Sequence, residues 1–395
     1  MDAHRRLFTI LFVSVFAAML GLGIVAPLLP IYAENLGATG IWMGVIFSSF
    51  AFSRAVFMPI VGSLSDRHGR KPFIAVGLLA YTVLSLGYIW APDILSLTMV
   101  RFLHGAASAM VVPIAMAYVG DMAKSGHEGG LMGRFQISLF LGMGSGPFLG
   151  GVLNDTFGFS SAFITMAVFT GIAFLIILVF LPKGRNGPAL PAGTKSAPLR
   201  SLIRTPAVVG VLAFTLFNAA GRGGLMVFLP LYAPHVGVSP SETGILLTVN
   251  IFLIALLQAP FGDLADRTNK ILLVLLGSAV SSAALIALPH SGSFTILLAI
   301  AAVIGIGSAI QQPSIMAMTV IAGKEHGMGS AMGIYNMAMS AGMILAPLLG
   351  GAIMDLVSIE WVFYAGGLIG IAGTSLFAAI LRCAPAAAAV IADDE

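Results

Sequence analysis

Gly62-Ser-Leu-Ser-Asp66-Arg67-His-Gly69-Arg70-Lys71-Pro72 is the densest charge cluster in the chain, and a long apolar run lies on either side of it. One hydrophobic helix is expected to end at Gly62, a tight polar turn to follow, and a second hydrophobic helix to begin at Pro72. Cations packed into a short connection between two apolar runs mark the cytoplasmic face of a membrane. The ordered spacing Gly-x3-Asp-Arg-x-Gly-Arg-Lys is more than a basic loop needs.

Composition around this stretch agrees. Of 395 residues, 58% are hydrophobic and 9% charged, and mean hydropathy is +1.01, whereas soluble domains carry about 25% charged residues. An all-α integral membrane protein is the class that fits. The 47 glycines and 20 prolines suit helices that pack closely and bend in lipid. A single cysteine, Cys383, excludes an internal disulfide framework and a cysteine-rich metal site, so no metal or cofactor is expected. The net charge of +3 serves orientation, and nucleic acid is not an expected partner. The first apolar run lacks a small-residue cleavage site and reads as a retained span.

Twelve runs can cross a hydrocarbon core of about 30 Å: 7–30, 41–62, 72–90, 95–119, 132–154, 160–181, 206–231, 241–262, 270–289, 293–320, 328–353 and 359–382. Arg5, Arg6, Lys124, Lys183, Arg185, Lys195, Arg200, Arg204, Arg267, Lys270, Lys324 and Arg382 fall at the first terminus, in even-numbered connections or after the last span. Odd-numbered connections hold Glu34, Asp93, Glu242 and Glu360 without Lys or Arg, which places both termini in the cytoplasm. A Pro-, Gly- and cation-rich linker at 183–205 divides an N-terminal six-helix bundle (1–182) from a C-terminal one (206–383), and 384–395 form a cytoplasmic tail.

The two bundles repeat at one offset. A shift of 200 residues aligns Pro30 with Pro230, Tyr32 with Tyr232, Gly62-x3-Asp66-Arg67 with Gly262-x3-Asp266-Arg267, Gly105 with Gly305, Pro113 with Pro313, Pro147 with Pro347 and Asp155 with Asp355. Halves of equal orientation form a parallel repeat, with a cavity expected between them at the midplane.

Over residues 5–382 these features resemble the major facilitator superfamily, and three motifs carry the resemblance. The stretch at 62–71 is similar to the family's signature between spans two and three. It implies a conformational latch of Gly62, Asp66, Arg67, Gly69, Arg70 and Lys71, with Arg70 joined to Asp121 at the end of span four and Asp66 against span eleven. In span five, Gly142, Gly146, Pro147, Gly150 and Gly151 resemble a pattern associated with antiporters, although physics alone supports close helix packing there. In span four, Arg101-Phe-Leu-His104-Gly105 resembles an Arg-x2-Gln-Gly element linked to proton transfer, with His104 in place of Gln; a buried packing role for His104 is the alternative. The set is most similar to the twelve-span drug:proton antiporter branch. That likeness implies a monomer in a bacterial cytoplasmic membrane, driven by a proton gradient.

Ionised groups inside a membrane cost at least ~2.5–3.5 kcal/mol each, so each is a functional candidate. Arg54 and Arg222 fall near the middle of spans two and seven, and Arg101 lies towards the outer end of span four. No Asp or Glu falls well inside any span, which departs from relatives that carry a membrane carboxylate. Arg54 and Arg222 either bind an anionic or zwitterionic head group or bond to neighbours such as Ser53, Asn218 and Asn250. Asn218, Asn250, Gln311 and Asn336 are further cavity candidates.

The implied function is proton-coupled efflux of amphipathic or drug-like small molecules by alternating access. The alternative is a dedicated carrier of an anionic metabolite or lysolipid. An enzyme is not expected, because no His, Asp or Cys cluster gathers at one depth.

Overall fold

The computed structural model describes residues 3–122, 128–182, 205–326 and 328–383, which are helical through every long apolar run and contain no strand. Fourteen α-helices follow in order among these residues. They are α1 (Ala3–Val25), α2 (Leu28–Asn35), α3 (Gly40–His68), α4 (Arg70–Ile89), α5 (Ile94–Met122), α6 (Glu128–Phe157) and α7 (Phe159–Phe180). Then come α8 (Pro206–Arg222), α9 (Leu225–Tyr232), α10 (Pro240–Arg267), α11 (Lys270–Ala287), α12 (Phe294–His326), α13 (Met328–Leu356) and α14 (Ile359–Cys383). They supply twelve segments long and apolar enough to cross a membrane, as expected. The linker at 183–204 and the tail at 384–395 lie outside the described residues.

One expectation fails at the opening stretch. The second span does not end at Gly62: α3 continues to His68, and α4 begins at Arg70 rather than Pro72. The polar residues stay helical because each can bond back along the helix. Ser65 Oγ donates to Gly62 O at 2.8 Å, and His68 Nδ1 lies 3.1 Å from Leu64 O. The turn is therefore one residue, Gly69, at φ +88, a conformation that disfavours any side chain. Pro72 is tolerated because the N–H it lacks falls in the first turn of α4.

The chain divides into two compact units. Unit 1 comprises Met1–Pro191 with Val238–Thr248, and unit 2 comprises Ala192–Gly237 with Val249–Glu395. In unit 1, small residues set how closely helices approach. A Cβ at Gly142 would lie 2.6 Å from Phe16 O, and one at Gly146 would strike the Gly23 backbone, so α6 and α1 cross in direct contact. Around that crossing lies a core of Leu11, Val15, Leu78, Tyr81, Val111, Phe135 and Ile177.

Unit 2 repeats the device internally. A Cβ at Gly342 would lie 2.6 Å from Leu216 O, and Ala346, the counterpart of Gly146, faces Gly223, the counterpart of Gly23. Tyr32 donates to Tyr88 O at 3.1 Å and packs edge-on to Phe163. Tyr232 donates to Pro289 O at 3.0 Å and packs edge-on to Phe363. The sequence offset is thus a structural repeat.

Many outward side chains, such as Val83, Leu103 and Leu175 in unit 1 and Leu256 and Leu276 in unit 2, are apolar and exposed. A surface of this kind belongs against lipid rather than water.

Candidate functional site

The first candidate is the cluster at Gly69. Because the turn is a single residue, Asp66 on the last turn of α3 and Arg70 at the start of α4 stay within reach. Arg70 NH1 lies 2.9 Å from Asp66 Oδ1. Its Nε donates to Asp121 Oδ2 at 2.6 Å and its NH2 to Asp121 Oδ1 at 3.3 Å. One guanidinium therefore joins the ends of three helices, using the fork that a bidentate carboxylate fits. The Arg70–Asp121 pairing is the one anticipated from the sequence.

Lys71 holds a fourth helix. Its ammonium donates to Leu178 O at 2.9 Å and to Leu181 O, the carbonyls that close α7. A cation there meets the negative end of the helix dipole. Arg67 is exposed. A Cβ at Gly62 would meet nothing within 4 Å. Asn269, not glycine, fills the position of Gly69 in the second copy and caps α11 by accepting from Leu272 N at 3.2 Å. Among the described residues, Asp266 and Lys270 form no ion pair.

The span-five motif is realised as packing. Gly142, Gly146 and Gly150 meet α1, and Gly151 meets the Pro240 carbonyl, with Pro147 inside the uninterrupted helix α6. Nearby, Asp155 Oδ2 accepts from the Ser241 N–H at 3.1 Å and from the Ser241 hydroxyl. This carboxylate at the start of α10 was not anticipated from the sequence.

Inside unit 1, Arg101 and His104 belong to one aromatic cluster. A side chain at Gly105 would strike Phe50 O, so α5 lies directly on α3 and carries Arg101 beneath two rings. The guanidinium carbon is 4.6 Å from the Phe50 centroid and 5.0 Å from that of Phe47. Desolvated contacts of this type are worth about 2 kcal/mol each and offset part of the burial cost. Arg101 NH1 makes a long contact of 3.5 Å to Tyr88 Oη, and Tyr88 Oη lies 2.8 Å from His104 Nδ1. Arginine can only donate. The Tyr88 oxygen therefore accepts from Arg101 while Tyr88 Oη and His104 Nδ1 share a hydrogen bond, and His104 Nε2 has no partner. Arg101 thus has its counter-surface in the protein.

Arg54 and Arg222 differ from it. Both are half-buried, and neither makes a hydrogen bond or ion pair within its unit among the described residues. The neighbours expected to satisfy them are otherwise engaged or uncoupled. Asn218 Nδ2 donates to Gln311 Oε1 at 3.1 Å, and Asn250 Nδ2 donates to Ala301 O at 2.8 Å. Ser53 Oγ and Arg222 Nε have no partner. Asn336 is exposed and bonds back to Met332 O at 2.9 Å. Arg222 ends α8, where Gly223 and Gly224 break the seventh span before α9. Ala26 and Pro27 interrupt the chain at the matching place between α1 and α2. The two repeats are thus broken at corresponding positions.

Twelve membrane-length segments in two repeated units with a charge-clamped connection have the makings of a secondary transporter. The profile of the Major Facilitator Superfamily matches residues 11–234 and again 211–394, and the chain belongs to that family. An uncharacterised MFS-type transporter of Methanocaldococcus jannaschii is 32% identical over 89% of this chain and 92% of its own length. Multidrug resistance protein 2 of Bacillus subtilis is 26% identical over 95% of each chain. Quinolone resistance protein NorA of Staphylococcus aureus is 25% identical over 94% of this chain and 95% of its own. Among solved structures, a bacterial homologue of the human lysosomal transporter Spinster superposes with a TM-score of 0.79 at 13% identity over 98% of this chain and 99% of its own. The nucleoside transporter NupG does so at 0.78 and 17% identity over 95% of this chain and 99% of its own. These last two speak for the fold alone.

Proposed function

We propose that the chain is a proton-coupled exporter of amphipathic, drug-like small molecules, working by alternating access as a monomer with both termini in the cytoplasm. The observation that carries the reading is Arg70, held between Asp66 and Asp121 across a one-residue hinge. A charge bridge over three helix ends is a latch that can open as a unit when those helices move. Small-molecule resistance in the named relatives supports the substrate class. Transport rather than enzymatic chemistry is the activity assigned.

Among the described residues no Asp or Glu is buried, so the proton is not assigned to a membrane carboxylate. His104 is the candidate carrier. Its Nδ1 shares a hydrogen bond with Tyr88 Oη, which Arg101 NH1 also contacts. Tyr81 and Tyr88 from α4, Phe50 from α3 and Arg101 from α5 are the groups around it.

The test is efflux from cells lacking their own exporters. Expression should lower accumulation of an amphipathic dye several-fold, and an uncoupler should abolish the difference. Equal accumulation with and without the protein, across cationic, neutral and anionic dyes, would contradict the reading.

A further inference from the structure

We infer that the break in span seven carries a carboxylate subsite, formed by Arg222 with the Gln311 amide. The inference rests on the export reading and names the chemistry of what is exported. Two side-chain N–H donors of unit 2 lack acceptors: Arg222 Nε and Gln311 Nε2. Gln311 is 2% exposed, so water does not serve it. Asn218 ties the two together. It lies four residues before Arg222, on the same face of α8, and donates to Gln311 Oε1 at 3.1 Å. That bond occupies the Gln311 oxygen and turns its N–H pair away from Asn218.

Among the described residues no acceptor side chain bonds Arg222 Nε or Gln311 Nε2, and the described carboxylates of unit 2, Asp263, Asp266, Asp355 and Glu360, lie at helix ends. Asn250 is directed to Ala301 O. The C-terminal end of α8 steadies the guanidinium through the helix dipole, yet no carbonyl reaches Nε. Arg101 in unit 1 offers the contrast: its Nε also lacks a partner, but its guanidinium is covered by two rings and contacts a tyrosine oxygen. Arg222 has neither. A donor set of one guanidinium and one amide, both lacking acceptors, suits the two oxygens of a carboxylate. A cationic head group would be repelled.

The test uses purified full-length protein and two fluorescent probes, 1-pyrenebutyrate and its neutral primary amide, with binding read by anisotropy and no pH gradient. The parent should bind the carboxylate at least ~10-fold more tightly than the amide. Arg222→Gln should bring the two within ~2-fold while amide affinity is unchanged, and Gln311→Leu should narrow the gap part of the way. Arg222→Lys, which keeps the charge but loses the fork, should retain an intermediate preference. If Arg222→Gln does not yield monodisperse protein, Arg222→Lys and Gln311→Leu carry the same reading. A parent without carboxylate preference, a parent that binds neither probe, or variants that keep the parental preference would each overturn the inference. Because no gradient is used, a carboxylate preference without proton-driven transport would sink the export reading and leave the subsite standing.

Discussion

Arg70 donates from Nε to Asp121 Oδ2 at 2.6 Å while its NH1 meets Asp66 Oδ1 at 2.9 Å, although Asp121 lies 51 residues further along the chain. Asp66 and Asp121 are about half exposed, so the bridge adds little to stability: ~0.2–1 kcal/mol per exposed pair. Its consequence lies in motion. Asp121→Asn should slow transport at least ~5-fold and shift the melting temperature by no more than a few degrees. Transport assays beside thermal unfolding check this, and equal losses in both would mark the bridge as scaffolding.

Glycines at helix crossings should behave differently from glycines facing open space. Gly146→Ala pushes a methyl group into the Gly23 backbone, and overpacking of this kind costs about 1–3 kcal/mol. Gly120→Ala and Gly62→Ala meet nothing within 4 Å and should leave thermal stability within ~0.5 kcal/mol of the parent. Gly69→Ala should cost about 1–3 kcal/mol, because φ +88 with ψ 151 is a conformation essentially reserved for glycine.

Tyr88→Phe removes the hydroxyl bonded to the buried His104 Nδ1. A buried polar atom left without its partner costs about 1–3 kcal/mol. Thermal unfolding in detergent should show that loss. In a Tyr88→Phe, His104→Leu pair much of it should return, since both polar partners are then gone.

The start of α5 should respond to acid. Asp93 Oδ1 accepts from the Ser96 N–H at 2.7 Å, and the Ser96 backbone and hydroxyl hold its carboxyl below the ordinary carboxylate range. With the folded value depressed, the cap is at full strength above the unfolded value of about 4. It weakens as pH falls from there through the folded value. Hydrogen exchange at Ile94–Leu97 should therefore accelerate below about pH 4 beyond its intrinsic rate. In Asp93→Asn that additional acceleration should vanish.

What could be read ahead of the structure followed from periodicities the membrane enforces. Twelve apolar runs are legible because each must bury its own backbone bonds. The repeat is legible because Gly, Pro and Asp at helix crossings and ends tolerate little substitution in either unit. The Arg70–Asp121 pairing came through the family signature. The continuation of α3 to His68 was hidden, because polar residues beyond the apolar run look like a turn whether or not they stay helical. The Arg101 cage was hidden for another reason. Phe47, Phe50 and Tyr88 sit on two other helices, and only the contact at Gly105 brings Phe50 over the guanidinium. The grip of Lys71 on α7 had no sequence signal, since its acceptors are backbone carbonyls.

The central claim is that substrate moves against protons. Purified protein in liposomes with a proton-sensitive dye inside and an imposed inward-acid gradient tests it most directly. Addition of a transported amphipathic substrate should accelerate dissipation of the gradient in the parent, and Asp121→Asn should show a several-fold smaller effect. If no substrate in cationic, neutral and anionic panels moves protons while the same liposomes transport it, antiport is contradicted.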